Sequence, residues 1–379
     1  MGAQVREQEL AGMRWLVVSG ERDDVFRALG RVAHADVHAV QEALPERHAL
    51  RGWAATERGR IRVERLLDAT RAACGRQLGE LRALAAGAGA DFEDLLLANL
   101  RGDLGVDDGT GCTDLGWRGT RSYVAHNEDG APALDGHLML LTLLVDGDVP
   151  VTVQWYPGFL PANTFTATGH GLVWGINHVQ AARPAHAPGR HFVARAMQQA
   201  PTLGAAVDHL RSRPSAGGFA YTIGDRADGR VVVVESAAGR TAVMEADADH
   251  PLHWHTNHLR HLPVPPDASG AATADASDAA RAARSLGPYE ESVARGEVLA
   301  GLQPPVGGPA AQWFLDVLTS APLPHGVHRT AAGADPLMTL CSVVADLTDD
   351  RITVRGPAGS TADLPLSAFA RGEAGTVSP

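Results

Sequence analysis

The pair Gly111-Cys112 is the first feature of the sequence that suggests chemistry. A thiol needs a base or a lowered pKa to act as a strong nucleophile at neutral pH. A cysteine at a chain terminus has such a base, because an α-amino group with a pKa of about 7.7–8.0 can accept the thiol proton. Reaching that state requires cleavage before Cys112, and Gly111 suits it because a residue without Cβ leaves its carbonyl open to attack. The alternative is an inert cysteine packed in a loop.

Two polar clusters follow the cysteine. The first, His126-Asn127-Glu128-Asp129, ends an apolar stretch fourteen residues after Cys112. The second runs from His253 to His258 and includes Asn257. A side-chain amide at the end of a strand can donate a hydrogen bond to a developing oxyanion, so Asn257 is a candidate for that role.

Histidines raise the question of a metal. His253 and His255 would share one face of a strand and, with His258, are candidate zinc ligands, although no carboxylate or cysteine lies near them in sequence. His34 and His38 are four residues apart on a predicted helix and form a second candidate chelating pair. Packing or surface positions are the alternative for the first group, and two solvated histidines for the second.

The sequence has three cysteines, Cys74, Cys112 and Cys341. An odd number at wide spacing is no disulfide framework, which favours a cytoplasmic protein. We expect Cys74 to pack within a helix and Cys341 to point into the core from an apolar run. The first residues lack the apolar stretch of a signal peptide, and no apolar run is long enough to span a bilayer.

Composition and missing motifs exclude several classes of function. The 379 residues carry 33 basic and 44 acidic side chains, and the net charge of −11 disfavours nucleic acid or anionic membrane as a partner. The sequence contains no Gly-x-Ser-x-Gly elbow, Walker loop, GxGxxG, HExxH or CxxC. The sequence therefore contains no local motif that indicates a kinase, a dinucleotide-binding enzyme or a common hydrolase.

Helices are predicted for the first hundred residues and strands for most of the remainder. Asp23 and Asp24 can cap a helix that extends to about Leu44, residues 57–86 fit a second helix, and Asp91 caps a third. Predicted strands cover 122–126, 137–145, 149–156, 164–168, 172–177, 219–225, 230–236, 240–246, 253–257, 338–347 and 351–355. Further helices are predicted at 189–199, 203–213 (capped by Thr202), 279–295 and 310–318, followed by a frayed tail over the last dozen residues. The order of elements indicates an α+β protein.

Seven short motifs, in order along nearly the whole chain, resemble the isopenicillin-N acyltransferase family. This family includes the carcinine and β-alanyl-dopamine hydrolases, and its members are cysteine N-terminal-nucleophile (Ntn) hydrolases. The matching motifs are Gly111-Cys112-Thr113, Asn127-Glu128-Asp129, Gly171-Leu172 with Asn177, Arg195 followed by Thr202-Leu203-Gly204-Ala205-Ala206, Glu235-Ser236, Thr256-Asn257-His258 and Thr339-Leu340-Cys341-Ser342.

The resemblance implies an Ntn-hydrolase αββα sandwich of two antiparallel sheets between helical layers, preceded by a helical N-terminal segment. It also implies autoproteolysis into residues 1–111 and 112–379, which stay together as one composite domain. Cys112 would supply the thiol and the α-amine, Asn257 would stabilise the oxyanion, and Asp129 would organise the site or the self-cleavage. The substrate-binding or supporting positions it implies are Thr113, Asn127, Asn177, Arg195, Glu235 and His258.

The function expected from the resemblance is hydrolysis of an N-acyl or aminoacyl amide through an acyl-enzyme on Cys112. Transfer of an acyl group to an amine is the second expectation. Hydrolysis is preferred over it because hydrolysis needs no second specific pocket. A catalytically silent Ntn fold used as a binding protein and a zinc hydrolase built on His253, His255 and His258 are the remaining alternatives. We expect a small-molecule amide or acyl donor as partner and neither cofactor nor metal; the sequence leaves the oligomeric state open.

Overall fold

The computed structural model describes residues 2–44, 46–105, 111–181, 184–263, 290–332 and 335–374. Within them, fifteen strands form two sheets. The strands are β1 Gln4–Leu10, β2 Met13–Gly20, β3 Gly111–Arg118, β4 Ser122–Gly130, β5 Met139–Val145, β6 Val151–Trp155, β7 Thr166–Thr168, β8 Leu172–His178, β9 Gly218–Asp225, β10 Val231–Ala237, β11 Arg240–Glu245, β12 Leu252–His255, β13 Met338–Asp346, β14 Arg351–Arg355 and β15 Thr361–Pro365.

The larger sheet has nine strands in the order β1-β2-β5-β6-β7-β8-β9-β10-β11, and the smaller has six in the order β12-β3-β4-β13-β14-β15. Neighbouring strands are antiparallel except for β2 and β5, which are parallel. The two sheets face each other through β3 and β4 on one side and β8 and β9 on the other.

Helices cover the outer faces of both sheets. The helices are α1 Arg22–Val32, α2 His34–Ala43, α3 Arg47–Ala54, α4 Glu57–Ala88, α5 Phe92–Leu100, α6 Arg190–Met197, α7 Leu203–Ser212, α8 Glu290–Ala300, α9 Ala311–Thr319 and α10 Leu366–Ala370. Two side-chain caps predicted from the sequence are present: the backbone N–H of Asp94 donates to the Asp91 side chain, and that of Ala205 donates to Thr202.

Side chains alternate between the two faces of each strand, and this alternation separates the layer between the sheets from the helical layers. In β8, Trp174 and Ile176 pack against the helices, whereas Val173 points toward the smaller sheet. In β4, Val124 lies between the sheets, whereas Tyr123 packs with the outer core that covers the smaller sheet. The result is the predicted αββα sandwich, in which side chains at alternate positions of β3 and β4 enter the layer between the sheets.

The predicted helical N-terminal segment and antiparallel sheets are present, with two exceptions. Residues 4–20 form a hairpin, and β2 joins the larger sheet parallel to β5. The continuous apolar run of β2 suits a strand that is buried on both faces, whereas β1 is an exposed, charged edge strand that carries no helical or simple strand periodicity. Part of residues 1–111 therefore belongs to the sandwich itself.

Two helix predictions and the predicted frayed tail also needed correction. The helix predicted to extend to Leu44 is broken at Ala33 into α1 and α2. The helix predicted at 279–295 extends to Ala300, and its residues 279–289 lie outside the described residues. The first three residues of the predicted frayed tail, 368–370, belong to the ordered helix α10. In the described part of the chain, no helix combines the length and apolar character needed to cross a membrane.

Gly175 on β8 is expected to be essential for the contact between the sheets. A Cβ at this position would overlap the Asp114 carboxylate and the His126 ring on the opposite sheet. Gly175→Ala should therefore lower the free energy of unfolding by about 1–3 kcal/mol, the usual cost of overpacking a core. Chemical denaturation measures the change.

Gly79→Ala is the matched control, because Gly79 lies inside α4 with open space around its Cβ position. It should be neutral or stabilising by up to about 1 kcal/mol, since alanine favours a helix. Equal stability of Gly175→Ala and wild type would contradict the close approach of the sheets.

Candidate active site

The pairing of β3 with β4 brings the two sequence motifs together. Gly111 lies opposite Asp129, Cys112 opposite Glu128 and Asp114 opposite His126. Because side chains alternate along a strand, the Cys112, Asp114, His126 and Glu128 side chains enter the layer between the sheets. The positions between them, including Thr113, Asn127 and Asp129, face the helical layer formed by α8 and α9.

A buried chain of hydrogen bonds lies beside the thiol. His126 Nδ1 is 2.6 Å from Asp114 Oδ1, and its Nε2 is 3.0 Å from Glu128 Oε2. Tyr156 donates to Glu128 Oε1 at 3.0 Å. Burial opposes a charge on His126, but the two carboxylates outweigh it and raise the pKa of His126 to about 10. His126 is therefore an imidazolium that donates to both carboxylates.

The Cys112 thiol is 3 % exposed and lies in an unfavourable environment for a thiolate. Burial, followed by the carboxylates of Glu128 and Asp129, raises the pKa of Cys112 well above its usual value. A hydrogen bond from the Asp129 backbone acts in the opposite direction and is weaker. In the intact chain the sulfur is protonated at neutral pH, so it needs a base to become a nucleophile.

Asn257 holds the backbone nitrogen of Cys112. The Cys112 N–H donates to Asn257 Oδ1 at 3.1 Å, while Asn257 Nδ2 donates to the His178 carbonyl at 3.0 Å. The predicted contact between these two sequence motifs is therefore present, with the amide oxygen turned toward Cys112. The role of Asn257 at an oxyanion stays a prediction.

Arg295 on α8 is a central residue of the site that the sequence analysis did not single out. Its guanidinium is fully buried and donates to the Cys112 carbonyl at 2.6 Å, to Thr113 Oγ1 at 2.7 Å and to Asn257 Oδ1 at 2.5 Å. Glu291, one turn earlier, holds the guanidinium from the other side at 2.5 Å. Arg295 thus fixes the cysteine backbone and the asparagine in one arrangement.

Asp129 lies on the outer face, opposite Gly111. Its Oδ1 accepts from Thr339 Oγ1 at 2.8 Å, and its buried Oδ2 has no hydrogen-bond partner among the described residues. Burial outweighs the nearby Arg329 and Arg295 and raises the pKa of Asp129 to about 7. The Arg329 guanidinium also packs on Gly111, and a Cβ there would have to displace it.

Glu235 organises the turn that carries Asn257. Its carboxylate binds His255 Nε2 at 3.0 Å and accepts from the backbone N–H groups of Arg260, His261 and Leu262. Burial would raise the pKa of Glu235, but these hydrogen bonds outweigh it and lower the pKa to about 2. The glutamate of the Glu235-Ser236 motif therefore positions the turn that carries Asn257, and its hydrogen bonds go to that turn rather than to Cys112.

The beginning of α8 holds the other side of the same turn. Ser292 Oγ accepts from the Asn257 N–H at 2.7 Å and lies 2.9 Å from both Thr256 Oγ1 and His258 Nδ1. Burial and the neighbouring His255 lower the pKa of His258 to about 4, so this histidine is neutral at pH 7. The Thr256-Asn257-His258 motif is therefore a turn held by Ser292, and its Asn257 accepts the hydrogen bond from the Cys112 N–H.

The remaining predicted positions divide into near and distant ones. Asn127 supports β4, because it donates to the Leu318 carbonyl and accepts from Ser342 Oγ. Asn177 is fully buried, lies two residues beyond Gly175 on the face toward the smaller sheet, and has no hydrogen-bond partner among the described residues. Arg195 lies outside the site: it forms a two-point ion pair with Glu80 that joins α6 to α4.

The histidines proposed as zinc ligands do not converge. His255 is bound to Glu235 and the Thr256 carbonyl. In the described residues, the group of side chains close enough to share an ion is Cys112, His126 and Glu128. Both nitrogens of His126 already bind carboxylates, so this group is better suited to proton transfer than to metal binding.

The other candidate residues have structural positions. His34 and His38 both bind the Ala88 carbonyl at the end of α4, at 2.6 and 3.2 Å. Cys74 is buried at a kink in α4, and Cys341 is buried between the sheets, where its sulfur accepts from Gln154. Both cysteines pack in the core, as predicted.

Comparison with known proteins decides the family. Residues 117–358 match the family described as acyl-coenzyme A:6-aminopenicillanic acid acyl-transferase. The chain belongs to this family. The description of this family is that of an acyl-transferring enzyme. The match includes Asp129, Asn257 and Arg295 but begins after Cys112, so the family match itself does not test the nucleophile.

Solved structures give a weaker comparison for this family member. Two variants of conjugated bile acid hydrolase from Clostridium perfringens match at 10% identity, with TM-scores of 0.38 and 0.41, over 69% of this chain and 95% of theirs. Penicillin V acylase from Agrobacterium tumefaciens matches at 12% identity and a TM-score of 0.35, over 65% of this chain and 83% of its own. No curated protein sequence matches. The assignment rests on the family match.

The stabilising effect of Glu235 should depend on pH. Its pKa falls from 4.5 to about 2 on folding, so its contribution is complete above about pH 4.5 and is lost as the pH falls toward 2. Glu235→Gln should lower the free energy of unfolding by about 2–3 kcal/mol at pH 7, and the deficit should shrink on acidification. Denaturant titrations at several pH values measure this.

Glu245→Gln is the matched control, because Glu245 is a partly exposed glutamate that pairs with Arg230 and Arg118. A surface pair contributes at most about 1 kcal/mol, so the control should change little. A deficit for Glu235→Gln that is absent at pH 7, or that grows toward pH 3, would refute the role given to Glu235.

Proposed function

We propose that the chain cuts its own backbone before Cys112 and then cleaves a small-molecule amide through a thioester on that sulfur. The observation that supports this is that side chains hold both the N–H and the carbonyl of Cys112. Its N–H is bound by Asn257, its carbonyl by Arg295, and the preceding glycine is packed under Arg329. An inert buried cysteine needs no such arrangement.

In the proposed self-cleavage, the Cys112 sulfur attacks the Gly111 carbonyl carbon. The peptide bond to the Cys112 nitrogen breaks, and a thioester joins Gly111 to the sulfur. Water then releases the Gly111 carboxylate and the free thiol. The Arg295 contacts fix the Cys112 carbonyl during these steps, so only the Gly111 side of the residue has to move.

In the proposed amide cleavage, the new α-amine of Cys112 takes the thiol proton and later gives it to the leaving amine. Asn257 Oδ1, which already accepts from this nitrogen, keeps the amine oriented. The second hydrogen of Asn257 Nδ2 and the unpartnered Asn177 amide are available donors for an oxyanion, each worth about 3 kcal/mol when well placed. The thioester formed on the sulfur is then hydrolysed.

Hydrolysis is proposed over transfer to an amine because it requires no second binding site. Cys112 is deeply buried, and none of the contacts described around it provides an anchor for coenzyme A. The family contains an acyl-transferring activity by its description, so transfer is the direct competitor for the same thioester.

Self-cleavage should be visible in the mass of the purified protein. Wild type should give two associated fragments, residues 1–111 and 112–379, the second beginning with Cys-Thr-Asp. Cys112→Ala should remain a single chain, because the attacking sulfur is missing. Intact mass and N-terminal sequencing measure this.

Cys74→Ala is the control, because Cys74 is a buried cysteine far from the site and should leave cleavage unaffected. A wild-type chain that stays intact and still hydrolyses amides would refute the terminal nucleophile. Cleavage in Cys112→Ala would refute its mechanism.

The fate of the thioester can be measured with a panel of N-acyl amino compounds and acyl-CoA donors, with and without an acceptor amine. We expect the mass of the 112–379 fragment to increase by the acyl group, and the free acid to be the main product. An amide of the acceptor as main product would instead identify a transferase. Binding of a panel compound with neither adduct nor turnover would favour a non-catalytic binding protein.

A further inference from the structure

Self-cleavage has a requirement that amide cleavage lacks. Before the chain is cut, the Cys112 nitrogen is part of a peptide bond and cannot accept a proton. The sulfur is nevertheless protonated, because burial and nearby carboxylates raise its pKa. The intact chain therefore needs a second base, and this question rests on the function proposed above.

Glu128 is the carboxylate placed to meet this requirement. It lies directly opposite Cys112 in the pairing of β3 with β4, and its side chain enters the same layer between the sheets. One of its oxygens lies within 4.8 Å of the Cys112 sulfur, and both groups are buried. One bridging water spans such a distance, and catalytic hydrogen bonds that are long at rest shorten as the reaction proceeds.

Other carboxylates near the sulfur are less suitable. Asp114 binds His126, which stands between it and Glu128. Asp129 points to the opposite face of β4, where it binds Thr339. Glu128, by contrast, faces the layer between the sheets and lies directly opposite Cys112.

We infer that Glu128 is the base that takes the thiol proton of Cys112 in self-cleavage. The proton moves from sulfur to a Glu128 oxygen as the bond between sulfur and the Gly111 carbonyl carbon forms. The same proton passes to the Cys112 nitrogen as the carbon–nitrogen bond breaks. The net change is an acyl shift from nitrogen to sulfur, and water later hydrolyses the thioester.

The surroundings of Glu128 hold it in place and strengthen it as a base. His126 donates to Oε2 and Tyr156 to Oε1, which leaves lone pairs on both oxygens. Burial raises the pKa of Glu128, with Asp114 adding to the rise and the His126 and Tyr156 hydrogen bonds opposing it. A carboxylate with a raised pKa accepts a thiol proton more readily.

Two roles of Glu128 predict opposite effects of neutralising it. As a negative charge, Glu128 raises the pKa of Cys112 and hinders formation of the thiolate. If it did nothing else, Glu128→Gln would accelerate self-cleavage or leave it unchanged. If Glu128 takes the proton, the same change slows self-cleavage, by about 100-fold or more for a general base.

The experiment follows cleavage of the full chain during cell-free translation, with samples quenched in denaturant and the intact chain quantified against the 112–379 fragment. We expect Glu128→Gln to slow cleavage about 100-fold, and the remaining rate to rise with pH as hydroxide takes over. Glu245→Gln is the matched comparison: it neutralises a glutamate that pairs with Arg118 and Arg230 at the surface, so its cleavage should not be slowed.

Folding is checked on each uncut chain by its unfolding midpoint, and Glu128→Asp provides a second variant. It keeps a carboxylate but withdraws it by one methylene, so its rate should lie between wild type and Glu128→Gln. Cleavage of folded Glu128→Gln at the wild-type rate or faster would overturn the inference while leaving the proposed function intact. A wild-type chain that never cleaves would instead overturn the proposed function.

Discussion

The antiparallel pairing of β3 with β4 is the interaction on which the rest of the site depends. Its register places Gly111 opposite Asp129 and Cys112 opposite Glu128. A shift of β3 by one residue would send the sulfur to the helical layer, away from the face that carries Glu128, because side chains alternate along a strand. The same register aligns Asp114 with His126, and that pair sits against Gly175 of the other sheet. The register therefore fixes the chemistry and the packing of the two sheets together.

The charged side chains buried between the two sheets place a second constraint on the structure. Asp114, His126 and Glu128 are buried in a layer where an isolated charge would be strongly unfavourable. The imidazolium offsets this because it donates to both carboxylates, and Tyr156 satisfies the remaining side of Glu128. The arrangement leaves a net negative environment around the Cys112 thiol, which keeps the sulfur protonated in the intact chain.

Local patterns allowed much of the fold to be predicted. Strand β14 was placed at its observed residues, and the Asp91 and Thr202 caps are present, because alternation and capping depend only on neighbouring residues. Strands β1 and β2 were missed because their assignment depends on the parallel contact with β5, which no local pattern records. In the site, the two-residue spacing of His126 and Glu128 could have predicted their shared face. Arg295 had no such signal, since a single arginine in a predicted helix looks like any surface cation.

The contacts around Cys112 also explain how the site can survive a cut in its own backbone. Arg295 holds the carbonyl and Asn257 the nitrogen of Cys112, and both lie on the C-terminal side of the proposed cut. Glu291, Ser292 and Glu235, which hold Arg295 and the turn of Asn257, lie on that side as well. The N-terminal side contributes β2, which remains in the larger sheet through β5. Cleavage at Gly111 would therefore free one nitrogen while the groups that orient it stay in place, and the base used for the amide would form where the peptide bond had been.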